Sequence, residues 1–134
     1  MITAAVLGST SMGIACSKPA AVRSQAAYCR ELVKRREVLQ PPPDAPLNTV
    51  YADAAEAFDA LQPTSPAEIE GDVRTTTVAL HQLADLTRDA EGDPAEADDR
   101  KLVEVALAAK ASTDRVNAYN RERCGVDTSA AISP

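Results

Sequence analysis

Apolar residues recur three and four positions apart in four separate stretches of the chain, and polar or proline-rich segments divide them. The first stretch, SQAAYCRELVKRREVLQ, sets Ala26, Cys29, Leu32, Val33 and Leu39 along one side of a predicted helix. Pro41, Pro42 and Pro43 stop it, because proline has no amide hydrogen with which to continue the ladder. The second runs from about Asn48 to Leu61, with Leu47, Val50, Tyr51, Ala54, Phe58 and Leu61 on one side, and ends at Pro63.

The third and fourth stretches carry start signals. In SPAE, Ser65 is placed to cap, Pro66 suits the first helical position, and Glu68 stands where a capping box closes. DPAE repeats the pattern with Asp93, Pro94 and Glu96. The third helix then uses Ile69, Val73, Thr76, Leu80 and Leu83 and fades near Asp89. The fourth uses Leu102, Val105, Ala106, Ala109, Val116 and Tyr119 before Cys124, and Gly125 follows at the position where a left-handed residue ends many helices. Four amphipathic segments with short loops predict an all-α fold, an antiparallel four-helix bundle spanning residues 23–125. Residues 126–134 have little pattern and are expected as a mobile tail.

Composition agrees with close helix packing. Hydrophobic residues make up 45% of the 134, yet aromatics are 3% and tryptophan is absent, so Ala, Val and Leu supply the core. One domain accounts for this length. No run approaches the roughly 20 apolar residues of a membrane-spanning helix. The net charge of -6 is uneven: Cys16 to Arg36 holds six basic residues against Glu31 alone, and the rest of the chain holds 8 basic against 19 acidic. An acidic body with few aromatic platforms argues against nucleic acid as a partner.

The first 15 residues carry no charge and end in small residues, Gly13 and Ala15, just before Cys16. That arrangement resembles the end of a bacterial lipoprotein signal, whose cysteine is lipidated and becomes the mature N-terminus. Gly13 stands where leucine is usual, Ser9 to Ser11 interrupt the apolar segment, and no Lys or Arg precedes it. A Met1 lying inside the true signal is one account of the missing basic residues. The expected organisation is a signal-like segment at 1–15, lipidation at Cys16, and an anchor or linker over 16–22. The alternative is a cytosolic protein with an apolar N-terminus.

Three cysteines are an odd number for an exported chain. Lipid on Cys16 leaves Cys29 and Cys124 as a pair. In up-down-up-down order the first and fourth helices are antiparallel neighbours, so the end of the fourth faces Cys29 in the first. A bond there clamps almost the whole domain. Two unrelated thiols in a reducing compartment are the competing reading. No C-x-x-C motif supports a thioredoxin-like or zinc-ribbon site.

GIAC near the start, a cysteine in the first helix, and YNRERCGV closing the last together resemble small secreted or lipid-anchored proteins of actinobacteria. The resemblance implies an Ala-rich helical domain, two widely separated cysteines joined as a disulfide, and an exported setting. It implies no activity and no catalytic residue.

Candidate chemistry is sparse. His81 is the single histidine and shares a predicted helix face with Asp85, without the loop context of a nucleophile. A di-iron bundle needs Glu-x-x-His, and Val78 occupies the glutamate position. A calcium loop counted from Asp89 meets Pro94 and Arg100 where Gly and Glu are required. Tyr28, Tyr51, Tyr119 and His81 are the side chains available to line a haem or lipid groove. The chain is therefore expected to be a non-catalytic, cofactor-free binding or interaction module of the cell envelope, held outside the cytoplasm by lipid on Cys16, with an envelope protein as partner. A carrier of a small apolar ligand is the second reading and predicts an internal cavity of several hundred Å³. A thiol redox protein using Cys29 is the third and predicts a reduced, exposed Cys29.

Overall fold

The computed structural model describes residues 19–90 and 98–132, and among these it is all-helical. Five helices follow in order: α1 (Gln25–Lys34), α2 (Leu47–Leu61), α3 (Glu70–Asp89), α4 (Asp99–Cys124) and α5 (Ser129–Ile132), with a short 3-10 turn, Gln62–Thr64, after α2. None of the described helices is long and apolar enough to cross a membrane. Cys29 and Cys124 are joined as a disulfide, with 5.1 Å between their Cα atoms.

Ser24 starts α1 by accepting from the Ala27 amide at 3.0 Å. The helix ends at Lys34, earlier than the triple proline requires, and a series of turns then brings Leu39 to full burial. Its buried face also differs from the expected one: Ala27, Tyr28 and Leu32 point inward, Cys29 is half-buried, and Ala26 and Val33 face solvent. The rotation seats the large Tyr28 ring in the core, where its polar tip has a partner; burying the smaller Val33 instead would remove less apolar area from water.

The second helix keeps its expected span within a residue and buries Val50, Tyr51, Ala54, Phe58 and Leu61. Its exit differs from expectation. Pro63 lies inside the 3-10 turn, and Ser65 does not cap α3: its buried hydroxyl donates back to the Leu61 carbonyl at 3.0 Å. A further turn, closed by the Ile69 amide on the Pro66 carbonyl, intervenes before α3 begins at Glu70. The capping box read from SPAE is therefore not formed, because Ser65 is consumed in closing the preceding helix. Asp93 to Glu96 lie outside the described residues; α4 starts at Asp99, with Asp98 accepting from the Lys101 amide.

The last turn of α4 ends as its sequence predicts. Gly125 adopts φ 68°, and the Val126 amide donates to the Asn120 carbonyl at 3.1 Å, a left-handed cap that glycine accepts without a side-chain clash. The following segment is not the patternless tail expected. Val126, Thr128, Ala131 and Ile132 are all buried, and α5 packs against α2. Such a short segment shows no helical period in the sequence.

Helix α2 packs along α3, α3 along α4, and α1 touches both α2 and α4. Tyr28, Leu32, Phe58, Leu61, Val73 and Val116 form the centre of the core. Asp72 on α3 receives two hydrogen bonds from the Arg115 guanidinium on α4, at 2.9 and 2.6 Å, which fixes the register of that pair at the surface.

Candidate functional site

The segment LVEVALAAKA, residues 102–111, carries apolar residues on every side of α4, more than one core-facing stripe requires. The C-terminal half of that helix is covered: Asn120 meets Tyr28, Asn117 meets Thr128, and Cys124 is bonded to Cys29. Its N-terminal half packs on α3 and leaves Val103 and Leu107 55% and 65% exposed. Val78 on α3 is 53% exposed as well, so the α3–α4 layer carries bare aliphatic side chains on both helices.

Two depressions flank the seam between these helices. On one side, a cleft of about 200 Å³ lies between Leu80, Leu83, Ala106 and Leu107, with Thr76 and Ile132 also lining it. Lys110 and Asp114 stand at its rim, paired at 2.9 Å. The Thr76 hydroxyl is buried and has no hydrogen-bond partner. On the other side, an open groove follows the seam in two sections of about 300 and 330 Å³ that share Gln82 and Val105. Val78, Ala79, Ala108 and Ala109 form the walls of the first section; Leu86, Asp85, Lys101 and Glu104 border the second. Small residues on both helices keep this groove shallow enough for another helix to approach.

A third depression, of about 350 Å³, is polar. Glu70 binds both Arg23 at 3.0 Å and Arg74 at 3.1 Å there, and Asp59 borders it. His81 pairs with this Asp59 across α2 and α3 at 2.9 Å, not with Asp85, which pairs with Arg88. Both partners of the His81 pair are 52% exposed. Among the described residues, no group of three or more His, Cys, Asp or Glu is arranged to hold a metal ion. The acidic stretch that fails the calcium-loop pattern falls largely at 91–97, outside the described residues.

The aromatic residues do not line a groove as the haem or lipid reading required. Tyr28 and Tyr119 pack edge to face at 5.8 Å in the core, and Tyr51 is buried beside them in the same cluster. Burial pushes the Tyr28 phenol well above the usual tyrosine range. Cys16 lies outside the described residues. The disulfide occupies the Cys29 thiol on which the redox reading depends.

Sequence reasoning missed Thr76 as an unpartnered hydroxyl, and it missed Val103 and Leu107 as bare surface. The second was signalled by the width of the apolar arc in α4; the first had no sequence signal, since Thr76 fits the core stripe by period alone. A scan against family models and searches of curated proteins and of solved structures found no match to this chain.

Proposed function

We propose that this protein is a non-catalytic binding module of the cell envelope, exported and tethered by lipid on Cys16, in which residues 23–125 form an antiparallel four-helix bundle. The closed sequence of packings, α1 on α2, α2 on α3, α3 on α4 and α4 on α1, favours the bundle. The Cys29–Cys124 bond favours an oxidising compartment, since such bonds persist chiefly outside the cytosol. The resemblance to small secreted or lipid-anchored actinobacterial proteins belongs to the same proposal.

The observation that carries the binding role is the continuous α3–α4 groove, with its floor of small aliphatic side chains and polar ends at Arg74 and Lys101. An amphipathic helix of an envelope protein suits it: apolar side chains at helical spacing fit along the walls. In support of a non-catalytic role, His81 sits on open surface with a carboxylate partner, and Cys29 is held in a bond.

Photo-crosslinking side chains at positions 78 and 108, introduced one at a time in the native host, test this reading together with the intact mass of the membrane-bound form. The expected result is one discrete adduct from both positions, none from Asp53 or Glu56 on the solvent face of α2, and a mass beginning at lipidated Cys16. A protein released with the soluble fraction and retaining Met1 overturns the tether. Equal labelling from α2 and from the groove overturns the binding surface.

A further inference from the structure

Helix α1 turns a mixed aliphatic and basic side to solvent. Ala26, Arg30 and Val33, spaced four and three apart, share one face and are all exposed, Val33 by 53%. Lys34 stands one turn beyond Arg30, and the turns that follow α1 expose Arg36 and Val38. Glu31 is half-buried and pairs with Lys34 at 3.2 Å and Arg35 at 3.0 Å. Among the described residues, neither Arg30 nor Arg36 forms an ion pair; Arg36 donates to the neutral Gln40 at 3.2 Å. Cys29, at the border of this face, is bonded to Cys124, which sets the last turn of α4 beside α1, with Arg121, Glu122 and Arg123 exposed.

Charge separates this side of the molecule from the rest. Residues 25–40 hold Arg30, Lys34, Arg35 and Arg36 against Glu31 and Glu37, whereas 47–89, from the start of α2 to the end of α3, hold two basic residues against eight acidic. An anionic surface therefore attracts the α1 side and repels the side that carries α2 and α3. Exposed valines among the arginines distinguish a lipid surface from a soluble anion: a free phosphate gains nothing from Val33 and Val38, whereas the headgroup boundary of a bilayer takes both kinds of side chain. We infer that the α1 face, centred on Arg30 and Val33, is a docking surface for an anionic phospholipid membrane. The proposed tether suits this placement without being needed for it. Cys16 lies nine residues before Gln25, so even a fully extended link holds α1 within about 30 Å of the bilayer. Because α1 packs on α2 and α4, docking by this face leaves α3 on the far side of the molecule.

The test is co-sedimentation of the full chain carrying Cys16→Ser, and so free of lipid, with vesicles of phosphatidylcholine alone or mixed in equal parts with phosphatidylglycerol. The expected result is binding to the mixed vesicles that weakens as salt is added, and much weaker binding to phosphatidylcholine alone. Arg30→Gln/Arg36→Gln should weaken the mixed-vesicle binding about twentyfold, at about fivefold per charge. Arg88→Gln/Arg100→Gln, an equal change of net charge at exposed positions on α3 and α4, should bind nearly as the unaltered chain does. The chain has no tryptophan, so Val33→Trp adds a reporter and keeps every charge. Its emission should shift to the blue on binding and be quenched by brominated lipid, while that of Glu56→Trp on the solvent face of α2 should do neither. Equal binding to both kinds of vesicle, equal losses from the two double variants, release by glycerol phosphate at matched ionic strength, or equal quenching of the two reporters would overturn the inference.

Discussion

The Tyr28 hydroxyl donates to Asn120 Oδ1 at 2.9 Å, joining residues 92 apart in the chain inside the core. Asn120 passes the bond on: its Nδ2 donates to Thr128 Oγ1 at 3.0 Å, and that hydroxyl donates to Asn117 Oδ1 at 2.7 Å. One buried chain of polar groups thus ties α1, α4 and the approach to α5. Tyr28→Phe leaves the acceptor of Asn120 unpaired, at a cost of about 1–3 kcal/mol. Because burial holds the folded Tyr28 phenol above its unfolded value, its contribution is complete below about pH 10 and is lost as pH rises further, when the unfolded chain ionises first. Urea titrations should show the alkaline decline of stability reduced in Tyr28→Phe.

Burial of Ile132 and Val126 makes the C-terminal segment part of the core. Ile132→Ala should lower stability by about 2 kcal/mol or more, measured by denaturant unfolding. A mobile tail would give no measurable change. Ending the chain at Gly125 should cost more than Ile132→Ala, since Val126 and the Thr128 hydroxyl are lost with it.

Two serine and aspartate positions separate a true cap from an apparent one. Asp98→Ala should cost about 1 kcal/mol and speed hydrogen exchange at the Lys101 amide, whose acceptor it removes. Ser65→Ala should leave exchange at the first turn of α3 unchanged, because its hydroxyl serves Leu61 in α2.

Helix content and the disulfide pair were readable because both follow from period and spacing: Val50 to Leu61, Val73 to Leu83, and a cysteine near each end of the domain. What sequence left out depends on contacts distant in the chain. The face of α1 turns on Tyr28 finding Asn120, and α5 is too short to show a period at all. Asn120 did carry a signal, since it continues the Ala109, Thr113, Val116 stripe as a polar residue on a core face. The Thr76 hydroxyl is the opposite case: period places it inside, and only the geometry reveals that it does not bond its own helix.

The Arg115 fork on Asp72 links α3 to α4 and holds that carboxyl below the usual aspartate range, against the opposing effect of partial burial. A folded value below the unfolded one, which is about 4, means the contribution is fully present above about pH 5 and is lost as pH falls through the folded value. Asp72→Asn should therefore lower stability by about 0.5–1 kcal/mol at neutral pH. The gap between the two proteins should close in acid. Arg115→Lys should recover only part of the loss, because an ammonium does not reproduce the two-pronged contact.

The Cys29–Cys124 bond closes a loop across a sequence separation of 95, and the chain-entropy account assigns a loop of that size about 4–5 kcal/mol of stabilisation, acting mainly on the unfolded chain. Reduction, or the Cys29→Ser/Cys124→Ser pair, should accordingly lower the melting temperature. The α3–α4 surface is remote from the bond along α4, so crosslinking from position 78 at low temperature should persist in the reduced protein. The neighbouring Tyr28–Asn120 bond already docks α1 on α4 and gives the reduced chain a second hold at the same end. Tyr28→Phe and the double serine change should therefore couple: the sum of their separate costs and the cost of the triple variant should differ measurably in a mutant cycle. A double serine variant that keeps its full melting temperature while losing its crosslinked partner would instead assign the cysteines to thiol chemistry during function.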